Sequence, residues 1–381
     1  MDPTFDQISA STLADMRDNI VYDEFFVDGA ALRKLRSSGA LDEYLGGTIM
    51  QEPFQFDRVD GGAYFPGSTV TVLQKQILAA TAFVPKAYQE TVPLNLWQTG
   101  VINAGPAGKV KLVDLYMTNA VQALNTDLGI DFYNHGQALG TGVVTARAQF
   151  INGCAEFCND GVTNSWDGNV FPTIGGQARN GVIGNVLNSI PIWLGTQGGA
   201  VGQASYKPVL EAYLNCVQAP DTGLTNKAFF AYLLEREEAK QRHGDATTRD
   251  VSVGLDGIKY MGAFIHVDKL CPSTKYGTIL PSGLSQTTAI QPTPFTTAAS
   301  PSSISNLPAA TALSSIGEVF FWLRLAGWKV RPTVDEEYNF NFTPPVRAQN
   351  NPDLVVMFLK AGINTYTPSP RDNVQMYGAG F

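Results

Sequence analysis

Charge is scarce in this sequence: Asp, Glu, Lys and Arg together make up 16% of its 381 residues. The 34 acidic side chains outnumber the 26 basic ones, for a formal net charge of -8. A surface built to grip nucleic acid needs clustered Lys and Arg, so this balance excludes phosphate binding as the chain's main work. Cysteine is scarce as well. Cys154, Cys158, Cys216 and Cys271 are too few for a disulfide framework at this length, and free thiols are expected. Cys154 and Cys158 stand four apart in "INGCAEFCNDG", on one face of a helix. A metal would need two further ligands there, yet His135, His243 and His266 are scattered, so the pair reads as buried thiols and no metal site is expected. No apolar run approaches the roughly 18 residues that a membrane helix needs, and no span is predicted. The opening "MDPTFDQISASTLADMRDN" lacks a basic start followed by an apolar segment and is not expected to act as a secretory signal.

Catalytic patterns are missing too. "NAGPAGKV" offers Gly108 and Lys109 to a phosphate loop, but Asn103 stands where the first glycine belongs and Val110 where the hydroxyl belongs. "IGGQARNGVIG" is glycine-rich without the dinucleotide fingerprint; it reads as a turn in which Arg179 anchors a neighbouring carbonyl or carboxylate. No Gly-x-Ser-x-Gly elbow occurs. Asp335, Glu336 and Glu337 are adjacent, so on a strand they point to opposite sides and cannot face one another across a cleft. No catalytic residue, no cofactor and no enzyme activity are expected.

What is present is globular material, 44% hydrophobic and long enough for roughly two or three lobes. Residues 1–49 read as an arm with two short amphipathic helices. Thr12 caps one, with Leu13, Met16 and Ile20 as its stripe; Asp28 caps the other, which stops at Gly39. Residues 50–95 read as a long hairpin and its return strand. Phe54, Phe56 and Arg58 share one face of its first run, Val70 and Val72 alternate with Thr69 and Thr71 in its second, and Asp60–Gly62 supplies turn residues. An isolated hairpin is marginal in water and this one has few apolar residues of its own, which points to partner copies of the chain.

The clearest helix lies in "AGKVKLVDLYMTNAVQALNTDLGIDFYNHG", where Val113, Met117, Ala120, Leu124 and Leu128 recur at helical spacing between Gly108 and Gly136. A second helix is predicted over Ala146–Cys158. Two more follow, in "KPVLEAYLNCVQ" with Pro208 in its first turn and in "NKAFFAYLLEREEAKQRH", whose charged second half reads as a solvated face. "GIKYMGAFIHVDKLCP", "EVFFWLRLAGWKVRP" and "DLVVMFLKAG" read as strands, so the class is α+β. Between them, residues 281–317 contain no charged side chain and no histidine and read as a Thr/Ser/Pro-rich loop insertion.

The order of arm, polar hairpin, long helix, second lobe and returning strands resembles the major capsid proteins of tailed bacteriophages, the HK-ninety-seven-type fold. "INGCAEFCNDG", "IGGQARNG" and "GIKYMGAFIHVDKLCP" carry the resemblance, which covers roughly residues 54–280 and continues more loosely to "TPSPRDNVQMYG". It implies an extended hairpin loop lying over a neighbouring subunit, with Phe54, Phe56, Arg58, Asp60, Tyr64 and Lys75 as inter-subunit contacts. It implies a peripheral domain with the spine helix at 96–174, an axial domain at 175–316 that holds the insertion, and C-terminal strands at 317–381 returning to the peripheral domain.

The implied role is that of a structural subunit, made in a bacterial host cytoplasm, of an icosahedral virion capsid. Its hexamers and pentamers would enclose double-stranded DNA without sequence-specific binding. Partners would be copies of itself, with separate scaffolding, portal and decoration proteins and no membrane. No internal scaffold segment is expected before the arm. Some members weld neighbours through a lysine–asparagine bond; no asparagine or acid partner for Lys75 is identifiable, and that chemistry is not carried over. An encapsulin-like nanocompartment shell shares the same features. A soluble hydrolase using Asp335 or Glu337 is the alternative from another class.

Overall fold

The computed structural model describes residues 29–42, 44–59, 63, 65–67, 75–95, 112–137, 149–163, 165–166, 169–189, 192–193, 206–241, 258–272, 318–335, 338–348 and 351–379. The helix expected at 12–20, the strand at 69–72 and the insertion at 281–317 lie outside these residues.

The chain opens with α1 (Ala30–Ser37), which buries Ala30, Ala31 and Leu35 and ends before Gly39, whose φ of +72° suits glycine. Its N-cap is Gly29, without a side-chain bond, and the expected cap Asp28 lies outside the described residues. The first turn is instead satisfied from 237 residues away, where Ala31 N–H donates to Asp268 Oδ2 at 2.8 Å. The same oxygen accepts the Tyr133 hydroxyl, and Oδ1 accepts Leu270 N–H. Burial raises the Asp268 carboxyl above the ordinary carboxylate range against the pull of these donors.

β1 (Met50–Gln55) and β2 (Leu78–Phe83) pair antiparallel as a sheet of their own, and β3 (Lys86–Asn95) leaves them for another. The spine helix α2 (Leu112–Tyr133) has 22 residues, about 33 Å at 1.5 Å per residue, and buries Ala120, Leu124 and Leu128. The chain continues through α3 (Cys154–Phe157), the hairpin β4 (Thr173–Ile174) and β5 (Gln177–Ala178), then α4 (Gly181–Leu187) and β6 (Ile192–Trp193). Here the sequence misled: residues 146–148 of the expected helix lie outside the described residues, and over 149–158 a four-residue helix alone carries the buried Cys154 and begins after Gly153.

The second lobe holds α5 (Tyr206–Asn215), with Pro208 in its first turn, β7 (Thr222–Thr225), α6 (Lys227–Gln241), β8 (Ile258–Tyr260) and β9 (Ala263–Val267). Later in the chain come β10 (Glu318–Leu323), β11 (Lys329–Pro332), β12 (Asn339–Phe342), β13 (Val346–Ala348), the 16-residue β14 (Asn351–Tyr366) and β15 (Val374–Ala379).

β14 is the axis of a five-stranded sheet, with β3 along one edge for ten residue pairs and β11, β12 and β13 in turn along the other. Val355, Met357, Leu359, Ala361 and Ile363 alternate toward the core beneath α2, as period-2 spacing requires. The second sheet runs β6-β15-β10-β7-β9-β8. β10 and β15 therefore join the sheet of the second lobe, whereas the sequence reading sent all C-terminal strands back to the first. The reason is written in β10: all six residues are buried, because Val319, Phe321 and Leu323 face the core shared with α2 while Phe320 and Trp322 face the core under α5 and α6. The sheet is a wall between two apolar layers.

Candidate inter-subunit surface

The hairpin divides at Gln55 and Leu78. Below that level it is held by its own chain. Met50, Phe54 and Phe83 are buried in the main core; Ala82 N–H donates to Gly175 O and Gln177 Nε2 to Ala80 O, so the β4–β5 turn clasps β2. Gly175 and Gly176 adopt φ of +51° and +78°, and a methyl on Gly175 would collide with Thr81, which is why the motif needs glycine there. Above that level support thins. Phe56 N–H donates to Ile77 O, and Lys75 Nζ pairs with Asp57 Oδ2 at 2.7 Å. The Lys75 bond, followed by the Arg58 N–H, holds the Asp57 carboxyl below its ordinary value. Phe65 is 81% exposed, Val59 71% and Leu78 57%, an apolar series that its own chain leaves open to water.

The six residues expected at a subunit boundary thus fall into three groups. Phe54, at 7% exposure, packs in its own chain's core, and Phe56 stands half-buried beside it with ring centroids 6.4 Å apart. The aromatic face of the first run thus turns toward its own chain's core. Arg58 is exposed, and Lys75 is held by Asp57 across the hairpin. Asp60 and Tyr64 lie outside the described residues.

One group at the hairpin base went unseen in the sequence. Arg331 on β11 donates through Nε and Nη2 to Asp42 Oδ2 at 3.0 and 2.8 Å, and through Nη1 to Glu52 Oε1 on β1. Its guanidinium lies 5.0 Å over the Tyr366 ring, and the Tyr366 hydroxyl bonds Glu52. Burial, then the neighbouring Glu52 charge, pushes the Tyr366 phenol well up. Residues 42, 52, 331 and 366 share no local motif; only the pairing of β11 with β14, and the bridges Leu41–Val330 and Tyr44–Thr333, bring them together.

Other polar groups are structural. Arg179 donates to the carbonyls of Asn159 and Glu156 at 2.6 and 2.7 Å, as the sequence suggested, and burial lowers its pKa to about 10. Cys154, Cys158 and Cys271 are buried, and burial raises the Cys154 and Cys271 thiols, leaving them unreactive. Among the described residues, no three His, Cys, Asp or Glu side chains gather as a metal site, and no helix is long and apolar enough to cross a membrane. Asp335 is exposed beside a turn, and Glu337 lies outside the described residues.

No family model and no curated protein matches the sequence. Solved structures do match over nearly the whole chain. The cyanophage A-1(L) capsid protein superposes with a TM-score of 0.58 at 10% identity, covering 96% of each chain. The capsid of an empty GTA particle gives 0.53 at 9% identity, over 100% of this chain and 96% of that one. The SrpI encapsulin of Synechococcus elongatus gives 0.53 at 10% identity, over 98% and 95%. The fold is the one these shell proteins share.

Proposed function

We propose that this chain, built on the fold of tailed-phage major capsid proteins, is a structural subunit of an icosahedral virion capsid. In this reading, copies close into hexamers and pentamers around double-stranded DNA. The observation that carries it is the divided hairpin, seated in the core at its base yet exposing Leu78 at that level and, among its described residues above it, Val59 and Phe65. A second copy would cover Phe65, Val59 and Leu78, and closed symmetry would repeat that modest contact many times. The net charge of -8 suits a container, since an acidic wall repels packaged DNA slightly and lets it pass in and out. No enzymatic step is assigned.

The five-stranded sheet with α2 would form the peripheral domain. The six-stranded sheet with α5 and α6 would form the axial domain, at the centre of each capsomer. The chain would be made in a bacterial host's cytoplasm, with scaffolding, portal and decoration supplied by separate proteins. Electron microscopy of the purified protein, expressed with and without its neighbouring genes, tests the reading. Closed particles of uniform diameter that hold DNA in the complete system support it. Particles filled with a protein cargo and free of DNA would move the assignment to a compartment shell. Monomers in both preparations would overturn it.

A further inference from the structure

The hairpin is joined to the body by two connections of opposite character. On the outgoing side, the corner at Val84 is pinned: Asn364 Nδ2 donates to Val84 O at 2.8 Å and to Asn152 Oδ1 at 2.9 Å. On the incoming side, the chain between residues 45 and 49 is exposed and lightly packed. Gly46 and Gly47 both adopt φ of +119°, a methyl on Gly46 would meet nothing within 4 Å, and Leu45 is 88% exposed. A link touched only at Gly47, by the Tyr44 hydroxyl, is too lightly packed to define an angle by itself.

Arg331 spans that link. Asp42 lies just before the glycines and Glu52 just after them, and one planar guanidinium holds both carboxylates from different edges while its face rests on Tyr366. The fork geometry matters, because a lysine ammonium lacks the two rigid edges needed to fix two carboxylates in one plane. The cation stands on β11, locked to β14 by four residue pairs, so the sheet serves as the reference frame.

We propose that Arg331 is a positioning residue that bridges the Gly46–Gly47 link and sets the angle at which the hairpin leaves the body. The use made of that angle, seating the hairpin on a neighbour, rests on the shell reading; the angle itself does not.

The test therefore uses the unassembled chain. Spin labels at Val59→Cys and Val121→Cys, in a Cys216→Ala background that leaves only buried thiols, report hairpin against spine. Labels at Val121→Cys and Val182→Cys report the body alone. With Arg331 intact, both distance distributions are expected to be narrow. Arg331→Met should broaden the hairpin distribution roughly twofold and leave the body distribution unchanged, with Arg331→Lys intermediate. Glu52→Gln, which weakens only the hairpin side of the bridge, should broaden the hairpin distribution as well. A hairpin distribution in Arg331→Met that superposes on the original overturns the proposal. So does broadening of the body distribution in both Arg331→Met and Glu52→Gln, which would make the cluster a support of the core. Failure to form shells in any preparation would bear on the proposed function and leave these distances standing.

Discussion

Glu90 on β3 and Asp127 on α2 meet between the sheet and the spine, and their carboxyls share a hydrogen bond. Two acids bonded side by side need a proton between them. Burial, then the charge of Asp127 and the shared bond, raises Glu90 to about 7; burial also raises Asp127. Nearby, Tyr88 donates to Asp131 at 2.8 Å and Lys86 reaches Gly136 O, so the ammonium is drawn away toward the end of the spine. The sign follows from linkage. A carboxyl raised from an unfolded value near 4.5 favours the fold most below that value, and its contribution fades as pH climbs through about 7. Glu90→Gln keeps a neutral hydrogen-bonding group at every pH. It should raise the melting temperature of the unassembled chain by about 1–3 °C at pH 8 and change it little at pH 5. Equal shifts at both values would show that the pair carries no proton linkage. At this scale the sequence was half legible. Arg179 announced itself by sitting in a glycine turn, with carbonyls in reach. Asp268, Arg331 and the Glu90–Asp127 pair did not, because their partners lie tens or hundreds of residues away and no local period encodes them.

Elements were more legible, since periodicity is a local property. The spine, α5, α6 and the strands at β9, β10 and β14 stand where apolar spacing put them. The departure from a helix at 149–153 has a backbone cause. Gly136, read as a stop signal for the spine, is a contact residue: a methyl there would strike the backbone of Phe150 and Ile151. A methyl on Gly153 would strike the carbonyl oxygens of Asp131, Phe132 and Asn134. The end of α2 and the segment before α3 therefore cross backbone to backbone, and Ala155 N–H donates to Asn134 O across the crossing. Such a crossing leaves no room for a helix's outer atoms, so the segment from Phe150 to Gly153 stays out of an α-helix. Gly153→Ala should destabilise the chain by about 2–4 kcal/mol in urea unfolding, because the obstacles are main-chain atoms that cannot rotate away. A loss under about 1 kcal/mol would mean the two segments can part cheaply.

At the scale of the whole molecule, the proposed shell would separate stability from assembly at the exposed Phe65. Phe65 makes no demand on the fold, being 81% exposed, so Phe65→Ser should leave the melting temperature of the unassembled chain within about 1 °C of its original value. In the proposed shell the same ring would be covered by a neighbour, and losing it should remove about 1.5–3 kcal/mol from every contact of that kind. Each 1.4 kcal/mol is tenfold in an association constant, so the protein concentration at which closed particles first appear should rise roughly tenfold or more. Light scattering across a dilution series reads the threshold, and calorimetry of the dilute chain reads the fold. A lower melting temperature with an unmoved threshold would place Phe65 inside its own subunit's structure. The threshold distinguishes a contact from a core residue because an inter-subunit contact depends on concentration, whereas the buried Met50, Phe54 and Phe83 at the hairpin's base should show first in the melting temperature of the dilute chain.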